Sequence, residues 1–277
     1  MKNKHADYNC NQEASDLVSS CSTKKLKTAD IQNVEILHLI IGNRKFNLST
    51  HQYNLNKTDT IYFCNECFEN YGEEISYNRH KLKCTKYILG SHVVYKEDQL
   101  VVYKLFGANN ISACQSLCIL GKSFIKHKTL YWDIDNYNFY LMYDQGNFIG
   151  YFSDEMFNES NNLSCILVLP DCQRKGYGML LVDLSCYFKR GTCERPLSKD
   201  GEILFKKYWK NKVYSYLKLK CGQNITINKM SEQLNMSEKD VVEGLKLLNC
   251  KIENEFKLND LKTTQPRFLN KKYIIDN

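Results

Sequence analysis

The sequence predicts an α+β fold, with short paired strands in the centre, a metal-binding knuckle towards the N-terminus and helices at the C-terminal end. Three observations carry this expectation. Short apolar runs separated by turn residues recur within residues 34–48, 92–107 and 138–153, the signature of hairpins. Cysteine and histidine residues cluster between 61 and 84 with the spacing of metal ligands. After Gly176 the apolar residues recur at helical spacing instead.

Residues 1–33 are polar, rich in Lys, Asn and Ser and without periodicity, and are expected to form a disordered or loosely attached arm. NVEILHLIIGNRKFNL, residues 33–48, reads as a hairpin turning at Gly-Asn-Arg. HVVYKEDQLVVYKLFG, residues 92–107, gives two more runs joined by the polar turn Lys96–Gln99. In ISACQSLCILGKSFIKH, residues 111–127, Cys114, Leu117, Cys118, Leu120 and Phe124 fall near helical spacing. NFYLMYD and NFIGYFS, on either side of Gln145 and Gly146, form an antiparallel pair. LSCILVLP, residues 163–170, is a buried strand stopped by Pro170, which has no N–H to give a ladder. GYGMLLVDLSCYFKR, residues 176–190, is a helix entered through glycines. In the tail, INKMSEQL and SEKDVVEGLKLLN are two helices broken at Asn235 and Met236, with Ser237 and Asp240 spaced as a capping box. The pair resembles a helix-turn-helix, although an ordinary helical hairpin is the commoner meaning of such a pattern.

The chain has 277 residues, 43% hydrophobic and 25% charged. That is enough for a sizeable core, in one large domain or two small ones at roughly 150 residues per domain. Three prolines and 13 glycines exclude collagen-like and linker-dominated chains. No apolar run approaches the ~18 residues of a membrane span, and MKNKHADYNC lacks a secretory apolar stretch, so no membrane association is expected. Thirteen cysteines without such a signal read as reduced thiols, some of them metal ligands or reaction participants. The net charge of +7 is unevenly spread. Residues 133–183 carry eight acids against Arg174 and Lys175, while residues 184–277 carry 19 bases against 11 acids. An acidic middle suits a basic substrate and a basic end suits nucleic acid or phosphates; uneven solvated surface is the alternative.

YFCNECFENYGEEISYNRHKLKC places Cys64, Cys67, His80 and Cys84 in the pattern Cys-x2-Cys-x12-His-x3-Cys. Two cysteines on a turn, with a His and a Cys about one helical turn apart, close a tetrahedron around one zinc ion. Such a zinc is structural, because four protein ligands leave no position for chemistry. Tyr62, Phe68, Ile75 and Leu82 are expected to supply the small core of the unit, and Arg79, Lys81, Lys83 and Lys86 to offer charge for phosphates.

The most informative stretch is CILVLPDCQRKGYG, residues 165–178. A buried strand ends at Pro170, then Gln173, Arg174, Lys175, Gly176, Tyr177 and Gly178 turn into a helix. Two glycines let backbone amides approach an anion, the helix N-terminus adds partial positive charge, and Arg174 and Lys175 add two full charges. The pattern resembles the Gln/Arg-x-x-Gly-x-Gly/Ala diphosphate motif of acetyl-CoA-dependent N-acetyltransferases. A Rossmann loop is disfavoured, because Gly-x-Gly-x-x-Gly does not fit here.

With its surroundings this stretch resembles the MYST family of histone acetyltransferases, from about residue 33 to residue 250. The knuckle matches that family's Cys-Cys-His-Cys finger in spacing. FIKHKTLYWDID is similar to the segment carrying an autoacetylated lysine, which falls on Lys128. SCILVLPDCQRKGYG covers the acetyl-CoA loop, with Cys165 at the family's active-site cysteine. GTCERPLSKDGEILFKKYW resembles the segment of the catalytic glutamate, which falls on Glu194. The resemblance implies a GNAT-like core with acetyl-CoA as cosubstrate. Ile166, Leu167 and Val168 would face the acetyl and pantetheine parts, and Gln173 to Met179 the diphosphate. Ser198 and Lys207 fall at further coenzyme-contacting positions, although Lys207 stands where the family commonly has serine.

The chemistry agrees with this carry-over. A substrate lysine is almost wholly protonated near neutral pH and must lose its proton before attacking a thioester. Glu194, beside Cys193 and Pro196, is a base for that step if an apolar site raises its pKa; the alternative is a surface Glu paired with Arg195. Cys165 is a positioning residue, an acetyl-cysteine intermediate, or a small core residue.

The sequence departs from the family pattern at three further places. Between the helix after Gly178 and Glu194 the chain is shorter by about five residues, Cys193 replaces a proline, and STHQYNLNK replaces an aromatic and proline-rich segment. The expected organisation is an arm over 1–33, an N-terminal region over 34–90, a catalytic core over 91–210 and a helical region over 211–277. The expected function is a nuclear histone lysine acetyltransferase acting on histone tails and nucleosomes. Chromatin-complex subunits and nonspecific DNA contact at the basic end are the further expected partners. The competing expectation is a catalytically weakened scaffold or coenzyme-binding subunit of a chromatin complex.

Overall fold

The structure is a computed structural model that describes residues 38–48, 60–85, 92–125, 128, 132–220, 225–249 and 266–275. The expected arm over 1–33, the STHQYNLNK segment and Lys86 lie outside these residues. A mixed α+β architecture is built on a five-stranded antiparallel sheet ordered β10-β8-β7-β6-β5. Its strands are β5 (His92–Glu97), β6 (Leu100–Phe106), β7 (Tyr137–Asp144), β8 (Asn147–Glu155) and β10 (Cys165–Val168). A four-stranded sheet, β2-β1-β3-β4, uses β1 (His38–Ile41), β2 (Arg44–Asn47), β3 (Thr60–Phe63) and β4 (Asn70–Tyr71). The pair β9 (Asn161–Leu163) and β11 (Thr192–Cys193) runs parallel.

The hairpins form where turn residues accept left-handed backbone. Gln145 and Gly146 have φ of 51° and 73°, which joins β7 to β8 in two residues as a twisted hairpin requires. Asp98, at φ 51°, serves the β5–β6 turn in the same way. β7 and β8 are buried on both faces, which is why their apolar residues run almost continuously instead of alternating. On one face α2 (Ile111–Phe124) covers the sheet, and the Tyr151 hydroxyl donates to the Leu117 carbonyl at 2.9 Å. On the other face Tyr140 stacks on Phe152 at 4.3 Å and on Phe188 of α3 (Tyr177–Phe188) at 5.2 Å.

Behind α3 lies α4 (Lys199–Leu219), a single helix that crosses residue 210. The tail helices α5 (Ile227–Leu234) and α6 (Glu238–Leu247) turn through Asn235 at φ 52°. α6 packs its buried Val241, Gly244 and Leu245 against α4, so closely that a Cβ on Gly244 would fall 2.7 Å from Val213. The expected capping box is half formed. Ser237 Oγ accepts from the Asp240 amide at 3.2 Å, but the Ser237 amide donates to the Gly191 carbonyl and the Asp240 carboxylate faces Arg195 at 3.5 Å. The tail helices thus share one hydrophobic core with the sheet.

A last segment, residues 266–275, returns across α3 and α4 to the free edge of β5. There Ile275 N–H donates to Val94 O at 3.1 Å and Ile274 bridges to Tyr95. Asp183, buried in α3, anchors this strap. Its carboxylate accepts from the Leu269 amide at 2.9 Å, from the Tyr208 hydroxyl at 2.7 Å and from Lys212 of α4.

Gly150 sets the approach of β10 to β8. A Cβ there would lie 2.1 Å from the Leu167 carbonyl oxygen, where no side chain fits without moving β10. Gly150→Val should therefore cost at least ~1–3 kcal/mol of stability. Thermal unfolding checks this, and an unchanged melting temperature would contradict it.

Candidate active site and metal centre

The knuckle is formed by the β3–β4 turn and α1 (Glu74–Lys83), with Cys84 capping the helix. The ligand atoms of Cys64, Cys67, His80 and Cys84 all lie within 4.8 Å of one another. Cys64 Sγ and Cys84 Sγ are 3.8 Å apart, and Cys67 Sγ is 3.3 Å from His80 Nε2. Tetrahedral zinc with bonds of about 2.3 Å to sulfur needs sulfurs about 3.8 Å apart, so the four residues fit that ion. His80 Nε2 faces the cluster while Nδ1 lies 3.6 Å from the Glu69 carboxylate, itself accepting from Tyr71 at 2.8 Å. That is how a carboxylate fixes the tautomer of a metal-binding imidazole. Hydrogen bonding from Cys67 holds the Cys64 thiol well below its ordinary pKa, while the same bond and burial push Cys67 up. The pair keeps a proton that a metal would displace.

The small core of the knuckle differs from expectation. Tyr77, His80 and Cys84 share one face of α1, so Ile75 and Leu82 point the other way and are 68% and 88% exposed. Tyr62, Tyr71 and Tyr77 fill the core instead. Phe68 belongs to the main core, edge-on to Phe148 at 4.8 Å, and with the Tyr143 bond to Asn65 O it docks the knuckle on the central sheet.

The strand and loop singled out in the sequence form one continuous feature. Ile166, Leu167 and Val168 lie in β10, paired with Phe152, Tyr151 and Gly150. A short 3-10 turn, Pro170–Cys172, leads to Gln173, whose side chain donates to Val168 O at 3.1 Å. Arg174 and Gly176 take φ of 61° and 90°, and Gly176 caps α3 with no side-chain bond to its first amides. Arg174 and Lys175 are exposed, whereas Tyr177 and Met179 are buried. The Tyr177 hydroxyl bonds Asp144 and its pKa is pushed up to about 12, chiefly by burial and then by that carboxylate. A helix start with unblocked amides and flanking cations can hold an anion.

Cys165, at the other end of β10, has its Sγ 3.8 Å from the Tyr151 hydroxyl. Lys128 is nearby and only 8% exposed, with its side chain running past Gly121 and its amine bonded to Cys118. Burial pushes the Cys118 thiol up to about 11, so it stays protonated near neutral pH. A Cβ on Gly121 would meet Tyr151 Oη at 2.5 Å and the Lys128 stem at 3.2 Å. Sequence reasoning missed Tyr151, Cys118 and Gly121; the available signal was an isolated glycine inside a helical pattern.

Glu194 is brought to this end of the strand by the β9–β11 pair, its N–H donating to Leu163 O at 2.8 Å, two residues before Cys165. The Tyr137 phenol is pushed up first by burial and then by Glu155, Glu194 and Cys118. Of the two settings left open for Glu194, an apolar site or the surface, the structure has the second: its side chain is exposed, while Cys193 turns inward. Nor does Arg195 pair with Glu194; it reaches Asp240 and lies over the Trp209 ring at 5.5 Å. Ser198 caps α4, its Oγ accepting from the Gly201 amide at 3.0 Å. Lys207 is exposed, one helical turn beyond Leu204, which packs at the Gly178 position.

Residues 90–273 match the family model described as the MOZ/SAS family. The chain belongs to the MOZ/SAS (MYST) family. It is similar to histone acetyltransferase mst1 of Schizosaccharomyces pombe, 34% identical over 73% of this chain and 45% of that protein. It is also similar to histone acetyltransferase esa-1 of Neurospora crassa, 36% identical over 70% of this chain and 41% of that protein. The histone acetyltransferase Tip60 homolog of Caenorhabditis elegans is 32% identical over 79% of this chain and 51% of its own length. The chain thus spans about half the length of these curated relatives. The MOZ/SAS match runs from just before β5 to Tyr273 and takes in β10, the loop and Glu194, while the metal ligands precede it.

Purified protein should carry one zinc per chain by atomic emission. Cys64→Ser should carry none and melt at a lower temperature, and Glu69→Gln should bind zinc roughly 10- to 100-fold more weakly. Zinc-free wild-type protein prepared without chelator would contradict the assignment.

Proposed function

We propose that this MOZ/SAS family chain is a histone lysine acetyltransferase, transferring the acetyl group of acetyl-CoA to lysine side chains of histone tails. The observation that carries the reading is the spatial order along β10. Cys165 and Glu194 lie at its start, and the glycine-capped N-terminus of α3, with the exposed Arg174 and Lys175, lies at its end. That is the order a thioester with a phosphate-bearing tail would need. The relatives named histone acetyltransferase supply the substrate class.

In this reading the central sheet with α2 and α3 is a GNAT-like core and the zinc is structural. The amides of residues 173–179 and the charges of Arg174 and Lys175 hold the diphosphate. Ile166, Leu167 and Val168 flank the pantetheine arm, and Ser198 and Lys207 at the α4 side complete the coenzyme site. Glu194 takes the proton from the substrate ammonium and, being exposed, passes it to water. The freed amine attacks the acetyl carbon and the thiol of the coenzyme leaves. Cys165 and Tyr151 shape the acetyl end by packing, so transfer is direct. Lys128, whose amine lies in the same cluster, is the autoacetylation site. The exposed acids Asp133, Asp135 and Glu159 of residues 133–183 attract the basic tail, and the basic C-terminal part contacts nucleosomal DNA or complex subunits in the nucleus.

Glu194→Gln keeps size and shape but cannot accept a proton. It should bind coenzyme normally and lose roughly 10²–10⁴-fold in turnover near neutral pH, with a smaller loss at high pH where more substrate lysine is neutral. Transfer of labelled acetyl to free histones and nucleosomes measures this. Full activity in Glu194→Gln would refute the base. An inactive wild-type chain that still binds acetyl-CoA would favour a coenzyme-binding scaffold.

A further inference from the structure

The C-terminal strap brings a charged side chain to the loop from about ninety residues away in sequence. Arg267 packs its aliphatic stem over Gly176, its Cβ, Cδ and Cγ lying 3.0, 3.6 and 3.9 Å from where a Cβ on that glycine would stand. Its guanidinium lies over the Tyr177 ring, 5.5 Å from the centroid, and one nitrogen donates to Glu97 Oε2 at 3.3 Å. The strap is fixed just beyond this residue. Leu269 is bonded to buried Asp183, Phe268 is edge-on to Tyr208 with Lys212 over its ring, and Ile275 is bonded to β5. A guanidinium has five N–H donors in a rigid fork, and the Glu97 bond uses one edge of it.

We infer that Arg267 is a coenzyme-binding residue, a strap-borne cation that contacts a phosphate group of the bound coenzyme at the start of α3. The inference rests on the proposed coenzyme site. The geometry favours it for three reasons. Packing of its stem on Gly176 and of its guanidinium over the Tyr177 ring already holds this Arg beside the loop, which lowers the entropy lost when it closes on an anion. Its charge stands beside the Gly176 cap, where the α3 amides and dipole already favour an anion. Arg174 and Lys175 are exposed on the loop itself, and Arg267 adds a third cation from the strap, at Gly176 and Tyr177. Glu97 also accepts from the Tyr95 hydroxyl at 3.0 Å, so it keeps a hydrogen bond when the guanidinium turns towards phosphate.

Titration calorimetry of the full chain with coenzyme A and with dephospho-coenzyme A, which lacks the 3′-phosphate, tests this. Arg267→Met keeps the stem on Gly176 and removes the charge. It should raise the Kd for coenzyme A about tenfold, with Arg267→Lys recovering part of the loss. It should also raise KM for acetyl-CoA with kcat little changed. An equal loss for both ligands assigns the contact to the diphosphate, and a loss confined to coenzyme A assigns it to the 3′-phosphate. Glu97→Gln removes the ion pair but not the cation and should bind coenzyme as tightly as wild type. If Glu97→Gln weakens binding as much as Arg267→Met, the pair merely anchors the strap and the proposal is wrong. If Gly178→Glu abolishes binding while Arg267→Met leaves Kd unchanged, the coenzyme site stands and Arg267 has no part in it. If Gly178→Glu itself binds normally, the site is misplaced and this proposal falls with it.

Discussion

Four residues of β10, held against β8, are the constraint on which the rest of the molecule depends. Cys165 to Val168 pair with Ser153 to Gly150, and the pairing is as close as it is because Gly150 has no side chain. The residues of the proposed acetyl-transfer site gather at the two ends of this short strand. At its start the Leu163 carbonyl receives the Glu194 amide and Cys165 meets Tyr151. At its end Pro170 breaks the ladder and the chain turns through left-handed Arg174 and Gly176 into α3. A shift of one residue in this register would turn Cys165 from the α2 side to the α3 side and separate it from Lys128.

The elements outside the central sheet brace that strand from several directions. The zinc knuckle docks on the β7–β8 hairpin through Phe68 and Tyr143, and Arg44 of β2 bonds both the Phe148 carbonyl and Asp171 beside the loop. Asp183 ties α3, α4 and the strap together, a buried carboxylate satisfied by three donors. Such a group is costly to bury unless fully hydrogen-bonded, and removing its partners would leave that cost standing. The loop is thus contacted by β2 through Arg44 and Asp171 and by the strap through Arg267 on Gly176.

Much of this was legible in the sequence. The hairpin turns at Asp98 and at Gln145–Gly146, the stop at Pro170, the glycine entry to α3 and the four metal ligands each follow from local rules about φ, missing donors and ligand spacing. What failed depended on distant parts of the chain. Ile75 and Leu82 looked like core because they are apolar, but the phase of α1 is set by Tyr77 and His80 facing the knuckle. Asp240 looked like a capping partner, yet Arg195 claims it. The sequence left Glu194 open between an apolar site and the surface, which depends on how the β9–β11 pair turns Cys193 inward and Glu194 outward. Arg267 and Asp183 carried no local signal, since each acts on residues far away in the chain. The assignment to MOZ/SAS proteins came from several motifs in one order, which is more specific than any one of them.

The central claim is that β10 and the loop after it form the coenzyme site of an acetyltransferase. Amide hydrogen exchange with and without acetyl-CoA tests it most directly, because the claim is about backbone amides. Protection should concentrate at residues 166–168 and 173–179, with the knuckle unchanged. Protection confined to other parts of the chain, or none at saturating acetyl-CoA, would contradict the account.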